Sequence, residues 1–130
     1  MKLKTVEYKP GLCYSVAMEL LLRNYSKIQS LRLVHGYPIL NKGKRKGKRF
    51  GHAWLELVVH CDEKVIDPSN QTVLVHKPIY YILGHIVEED CHIYTVDEAV
   101  ELMTGTQHCG PWVESKPGTV FARKGKHARN

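Results

Sequence analysis

The alternating stretch "HAWLELVV" at residues 52–59 is the feature that most constrains the fold of this chain. Successive side chains of a strand point to opposite faces of a sheet. The set that begins with His52 and Trp54 therefore shares one face, and the apolar set that begins with Ala53 shares the other, which is predicted to face the core. The polar turn "HCDEK" at 60–64 and the return strand "VID" at 65–67 complete a predicted hairpin.

Two other segments have the apolar spacing of helices. The stripe that follows Cys13 has i, i+3, i+4 spacing and predicts a helix over about residues 13–28, with Cys13 in its first turn and directed inward. Thr95 and Glu98 have the spacing of a capping box before a second apolar stripe, and Gly105 can end that helix. We therefore expect one helix near each end of the chain.

The remaining apolar segments favour strands. Residues 31–40 are predicted to form one strand, and 72–78 and 79–87 two more that meet at Pro78. The resulting pattern is that of an α+β fold, in which an N-terminal helix packs on an antiparallel sheet. A chain of 130 residues fits a single domain, which we assign to residues 1–122, followed by a basic, flexible tail at 123–130.

The sequence also predicts where the protein works. The N-terminus carries no apolar run typical of a signal peptide, and no segment reaches the roughly 18 apolar residues that span a bilayer. A cytoplasmic protein without membrane contact is therefore expected. Its four cysteines are then predicted to be free thiols.

Positive charge is concentrated in two blocks. The formal net charge of +6 comes largely from "KGKRKGKR" at 42–49 and from the C-terminal residues. Such blocks are solvated loops in many proteins, but they also attract polyanions, so nucleic acid and an acidic protein partner both stay open. The glycines of the first block lack the order of a phosphate-binding loop, and the cysteines and histidines lack zinc-site spacing. No cofactor and no metal are expected.

The chemically distinctive set is a cysteine, a histidine and an aspartate in that order. A helix N-terminus and a nearby imidazolium both favour the thiolate form of a cysteine. Cys13 meets the first condition, and His52 is predicted to supply the second, with Asp67 orienting the imidazole. A hairpin turn centred on residues 61–64 would shift Asp67 along the ladder from His52 by two to four residues, and an unabsorbed shift would leave only a dyad.

These residues carry a family resemblance. The segments "CYSVAMELLLRN", "GHAWLEL" and "VIDPS", within residues 12–70, resemble the transglutaminase-like branch of the papain-like cysteine enzymes. Within it they are most similar to the cysteine peptidase domain that cuts leader peptides from lasso peptide precursors. The resemblance implies a papain-like, transglutaminase-like fold, with Cys13 as nucleophile, His52 as general base and Asp67 as orienting acid. Trp54 would shield the pair from water.

The expected function is therefore thiol chemistry on an amide bond of a peptide or protein substrate. A peptidase is the first choice, and deamidation or acyl transfer to an amine needs the same residues. Substrate contacts are predicted at four positions: Trp54, Tyr14, Lys48 and Arg49. The rival prediction is a non-enzymatic binding module that docks nucleic acid or an acidic protein through residues 42–49, with Cys13 as a core residue.

Overall fold

The computed structural model describes residues 3–7, 11–41, 43–70 and 74–120. The predicted tail at 123–130 and Lys42 of the basic loop lie outside these ranges. The described residues contain three helices and five strands, which are α1 (Cys13–Asn24), β1 (Arg32–Gly36), β2 (His52–Val59), β3 (Asp62–Ile66), β4 (Leu74–His76), α2 (Lys77–Gly84), β5 (His92–Tyr94) and α3 (Val96–Thr106). Short 3-10 turns follow β3 at Pro68–Asn70 and precede β5 at Glu88–Asp90.

The strands form one antiparallel sheet in the order β4-β3-β2-β1-β5. Strand β2 therefore lies at its centre, paired along both edges. The predicted α+β fold, with a helix near each end of the chain and an antiparallel sheet between them, is confirmed.

Both faces of the sheet are covered. Helices α1 and α3 pack on the face that carries Ala53, Leu55 and Leu57, as the alternation predicts. The other face is also buried, because Trp54 packs there with side chains from β1, β3 and α2. The prediction of a single core face is thus wrong at this end of β2.

The hairpin of β2 and β3 turns earlier than the polar residues suggest. Val59 pairs with Asp62, so the two-residue turn is His60-Cys61, and both residues have positive φ, 51° and 69°. Two central residues with φ above zero match the twist of the flanking strands. The pairing continues to Leu55 opposite Ile66, so Asp67 follows level with Trp54, two residues from His52.

The predicted strand at 79–87 is wrong, because most of this segment belongs to helix α2. Pro78 lies in the first helical turn, where its fixed φ suits a helix and its missing N–H costs nothing. A short apolar run does not distinguish a buried strand from a helix. Within the helix, Tyr81 is buried against the sheet whereas Ile82 and Leu83 are exposed.

The other helices have well-defined ends. Helix α1 stops at Asn24, before the predicted end at 28. The Asn24 amide there donates to the carbonyls of Leu20 and Lys4 and accepts from the Lys4 N–H. Helix α3 has the predicted capping box of Thr95 and Glu98.

Candidate active site

The three residues predicted to act together lie at the ends of their elements. His52 is the first residue of β2, Asp67 directly follows β3, and Cys13 is the first residue of α1. His52 and Asp67 are buried, and His52 Nε2 lies 2.9 Å from Asp67 Oδ2. The structure therefore brings the predicted base and orienting acid into direct contact.

The register of the hairpin explains this contact. Because Asp67 is level with Trp54, it shares the face of the sheet that carries His52. Diagonal neighbours on one face are about 7–8 Å apart, which long side chains can bridge. The sequence suggested that a shift of this kind would separate Asp67 from His52. The two-residue shift instead leaves the imidazole and the carboxylate within hydrogen-bonding distance.

The carboxylate of Asp67 is held by two further residues. Its Oδ1 accepts hydrogen bonds from the Ser69 N–H at 3.0 Å and the Ser69 hydroxyl at 2.7 Å. Its Oδ2 accepts a third from the Tyr80 hydroxyl at 2.6 Å. The "DPS" sequence is typical of an Asp side chain bonding two residues on, so Ser69 was predictable. The hydrogen bond from Tyr80 was not predictable, because the segment that forms its helix was predicted to be a strand.

These contacts set the charge states of the pair. Burial alone would lower the pKa of His52, but the charge and hydrogen bond of Asp67, followed by those of Cys13, raise it to about 10. Burial would raise the pKa of Asp67, but His52, Tyr80 and Ser69 lower it to about 2. At neutral pH the pair is therefore a carboxylate with an imidazolium.

Cys13 lies at the N-terminus of α1, next to His52. The effect of its hydrogen bond and charge on the His52 pKa reflects this proximity. Asp67 binds Nε2, so Nδ1 is the ring nitrogen that this contact leaves available. The N-cap residue Leu12 has no side chain that accepts a hydrogen bond, which leaves amides of the first helical turn without a side-chain cap. All four cysteines of the chain are free thiols.

Two of the predicted substrate residues lie close to this site. The Trp54 side chain is fully buried, its N–H donates to Glu56 at 3.0 Å, and its ring centroid lies 6.1 Å from that of His52. This placement suits a shield against water better than a substrate contact. Tyr14 is half-buried and packs its ring edge against His35. Substrate contact remains a prediction for both.

The other two predicted substrate residues belong to the basic loop. Lys48 is exposed. Arg49 donates from Nη1 to the carbonyl oxygens of Tyr37 at 2.7 Å and His85 at 2.8 Å, so part of its guanidinium holds the base of the loop. A substrate role for either residue stays a prediction.

A second buried polar cluster, absent from the sequence prediction, fixes α2 on the sheet. Glu56 accepts hydrogen bonds from Tyr81 and Trp54, and the Lys77 ammonium lies 3.2 Å from Glu56 and 2.9 Å from Glu88. Because Tyr80 is carried by the same helix, this cluster also places its hydroxyl on Asp67.

Three observations bear on other functional classes. Among the described residues, no three His, Cys, Asp or Glu side chains are grouped to hold a metal ion. Within the same ranges, no helix is both long and apolar enough to cross a membrane. Comparison of the chain with family models, curated proteins and solved structures gives no match.

Proposed function

We propose that the protein is a cysteine-dependent enzyme of papain-like, transglutaminase-like type that acts on an amide bond, with peptide hydrolysis as its reaction. The observation that carries the proposal is the buried contact of His52 with Asp67 beside a cysteine that opens a helix. A nucleophile, a base and a group that orients the base are the parts that thiol catalysis needs.

The reaction follows from this geometry. Because His52 is already an imidazolium, the Cys13 proton resides on its ring before substrate arrives. The Cys13 thiolate attacks the carbonyl carbon, which moves a pair of electrons onto the carbonyl oxygen. The backbone N–H of Cys13 supplies one donor to that oxygen. As the intermediate collapses, the C–N bond breaks and His52 gives its proton to the departing amine. Water then attacks the thioester and gives a proton to His52, which releases the acid and restores the Cys13 thiolate beside the imidazolium.

Asp67 acts through the histidine. Its carboxylate fixes the ring orientation and stabilises the imidazolium while remaining ionised itself. The hydrogen bonds from Ser69 and Tyr80 keep the carboxylate in place through the cycle.

The acceptor of the acyl group defines the reaction class. Water gives a peptidase or a deamidase, and a second amine gives a transglutaminase, with the same thioester in each case. A peptide or protein is the substrate in all of them. The four free thiols favour a reducing compartment, so the proposal includes a cytoplasmic location.

The first test is alkylation of each cysteine, followed by mass spectrometry near pH 6.5. We expect Cys13 to react faster than the exposed Cys61, because an imidazolium neighbour favours the thiolate. His52→Ala should slow Cys13 by at least about tenfold and leave Cys61 unchanged, whereas His76→Ala, at an exposed histidine of β4, should alter neither. A Cys13 that reacts like Cys61, with or without His52, would rule out the catalytic assignment.

A peptide library tests the reaction itself. Cleavage products, deamidated peptides and cross-linked peptides differ in mass and separate the three reaction classes. The activity must disappear in Cys13→Ala and persist in Cys61→Ala.

A specific observation favours a second candidate, a binding module. Lys44, Lys46 and Lys48 are exposed on the loop before β2, and they form no ion pair within the described ranges. Such a surface would hold a polyanion with an affinity that falls steeply as salt rises. Binding of this kind survives Cys13→Ala, which distinguishes it from the enzyme.

A further inference from the structure

The starts of α1 and β2 approach each other closely at Tyr14 and Gly51. Tyr14 directly follows Cys13, and Gly51 directly precedes His52. A Cβ atom on Gly51 would lie only 2.5 Å from the Tyr14 hydroxyl oxygen, closer than real Cβ contacts. Because glycine has no Cβ, the helix that carries the thiol can approach the strand that carries the imidazole.

The Tyr14 ring also packs against His35 of β1. The two rings meet edge to face, with centroids 4.7 Å apart. His35 is itself enclosed by Tyr94 and Trp112, each with its ring centroid 5.2 Å away. The backbone of Gly110 closes the enclosure, since a Cβ there would lie 2.6 Å from His35 Cε1. His35 therefore has little room to move, so it gives the Tyr14 ring a fixed contact on β1.

His35 contributes packing, and no hydrogen bond among the described residues, to this cluster of rings. The ring is 2% exposed, and neither of its nitrogens has a hydrogen-bond partner among the described residues. Burial, with smaller effects of His92 and His52, lowers the pKa of His35 to about 3, so the ring is neutral at physiological pH. Unpaired buried polar atoms cost stability. Support of Tyr14 is a reason for a protein to tolerate that cost.

We propose that Tyr14, supported by His35, is a positioning residue that sets the separation of the Cys13 thiol from the His52 imidazole through its contact with Gly51. The inference rests on the proposed function and adds to it the device that aligns the nucleophile with its base. Tyr14 acts through Cys13, which precedes it on the helix, and through Gly51, which lies against it and precedes the histidine. It takes no part in bond making.

The test is Gly51→Ala, read out as the alkylation rate of Cys13. The backbone of Gly51 lies outside the left-handed region, so the added methyl group acts through its clash with Tyr14. A misplacement of the order of 1 Å should slow Cys13 by about 10- to 100-fold, towards the rate of His52→Ala. Tyr14→Phe/Gly51→Ala should recover much of the rate, because it removes the oxygen that the methyl group meets.

Matched variants make the outcome decisive. Gly105→Ala places a methyl group in open space and should leave the rate unchanged. Tyr14→Leu removes the contact without a clash and should also slow Cys13, which covers the case of a Gly51→Ala protein that does not fold. Parent-like alkylation in folded Gly51→Ala, or in Tyr14→Leu, would overturn the positioning role. A parent Cys13 that is insensitive to His52→Ala would instead overturn the proposed function.

Discussion

At the scale of single residues, the contact of His52 with Asp67 determines when the site is charged. Burial opposes the charge of the imidazole, and the charge and hydrogen bond of Asp67 are the largest effects that favour it. The same carboxylate is kept ionised by the imidazolium and by the hydroxyls of Tyr80 and Ser69. Each partner thus retains its charge because the other is present.

Asp67→Asn is predicted to lower the pKa of His52 from about 10 towards its ordinary value of about 6.5, because the largest effect that opposes burial is then removed and only that of Cys13 remains. The alkaline limit of peptide cleavage should shift down with it, since His52 must be protonated to donate to the departing amine. The measurement is the pH profile, or the titration of the His52 ring by NMR. Asp62→Asn, at an exposed position of the same hairpin, should leave it unchanged.

The same pair makes stability depend on pH. The raised pKa of His52 contributes stability that is complete below about pH 6.5 and is lost as pH rises through about 10. The lowered pKa of Asp67 contributes stability that is complete above about pH 3.9 and is lost as pH falls through about 2. The difference in melting temperature between parent and Asp67→Asn should therefore be greatest between about pH 3.9 and about pH 6.5, where both contributions are complete. A pH-independent difference would contradict the pairing.

At the scale of elements, helix α2 connects the sheet to the site. Lys77 and Tyr81 fix it to Glu56 on β2, and Tyr80 reaches Asp67 from the same helix. A helix that the sequence did not reveal therefore supports the orienting acid.

Tyr80→Phe is predicted to lower the free energy of unfolding by about 1.5–3 kcal/mol, the range for a hydrogen bond to a charged group. Loss of this donor should also raise the pKa of Asp67. Chemical denaturation measures the first effect, and Ile82→Ala on the exposed face of α2 is the control, with a change within about 0.5 kcal/mol. Equal stability of Tyr80→Phe and parent would show that the hydroxyl bond has no net effect.

The elements that the sequence predicted well are those in which the apolar pattern is sustained over many residues. Helix α3 has both a stripe and a capping box, and β2 alternates over eight residues, so each pattern favours one structure. The nine residues from Ile79 lack such a pattern, and β5 is a strand of three residues, too short to show a period. The sequence predicted that His52 and Asp67 would act together. It did not predict their two-residue offset in the hairpin, which depends on the turn at His60-Cys61, where both residues have positive φ.

At the scale of the whole molecule, the net charge of +6 is unevenly placed, and the exposed lysines of the basic loop lie close to the start of β2 in the chain. Phe50 connects this loop to the site, with its ring centroid 5.4 Å from that of His52. Fields from such clusters raise the local concentration of oppositely charged substrates. If the proposed enzyme acts on peptides, we therefore expect it to prefer acidic ones.

Lys44→Glu/Lys46→Glu is predicted to slow the reaction of an acidic peptide and to flatten its dependence on salt, because the attracting charge is reversed. Lys27→Glu/Arg32→Glu, at exposed positions outside the loop, makes the same change in net charge and is the control. The measurement is kcat/KM at several salt concentrations. Equal effects of the two variants would assign the salt dependence to net charge alone.

The tight turn between β2 and β3 also has a consequence for the order in which the protein assembles. His52 and Asp67 are 15 residues apart and belong to one hairpin, a local unit that closes quickly because little chain entropy is lost. Cys13 arrives from a helix that must dock over a longer loop. We therefore expect the pair of His52 and Asp67 to assemble before Cys13 joins it, so that in the proposed enzyme the thiol meets its base only when the tertiary structure of a newly made chain is nearly complete.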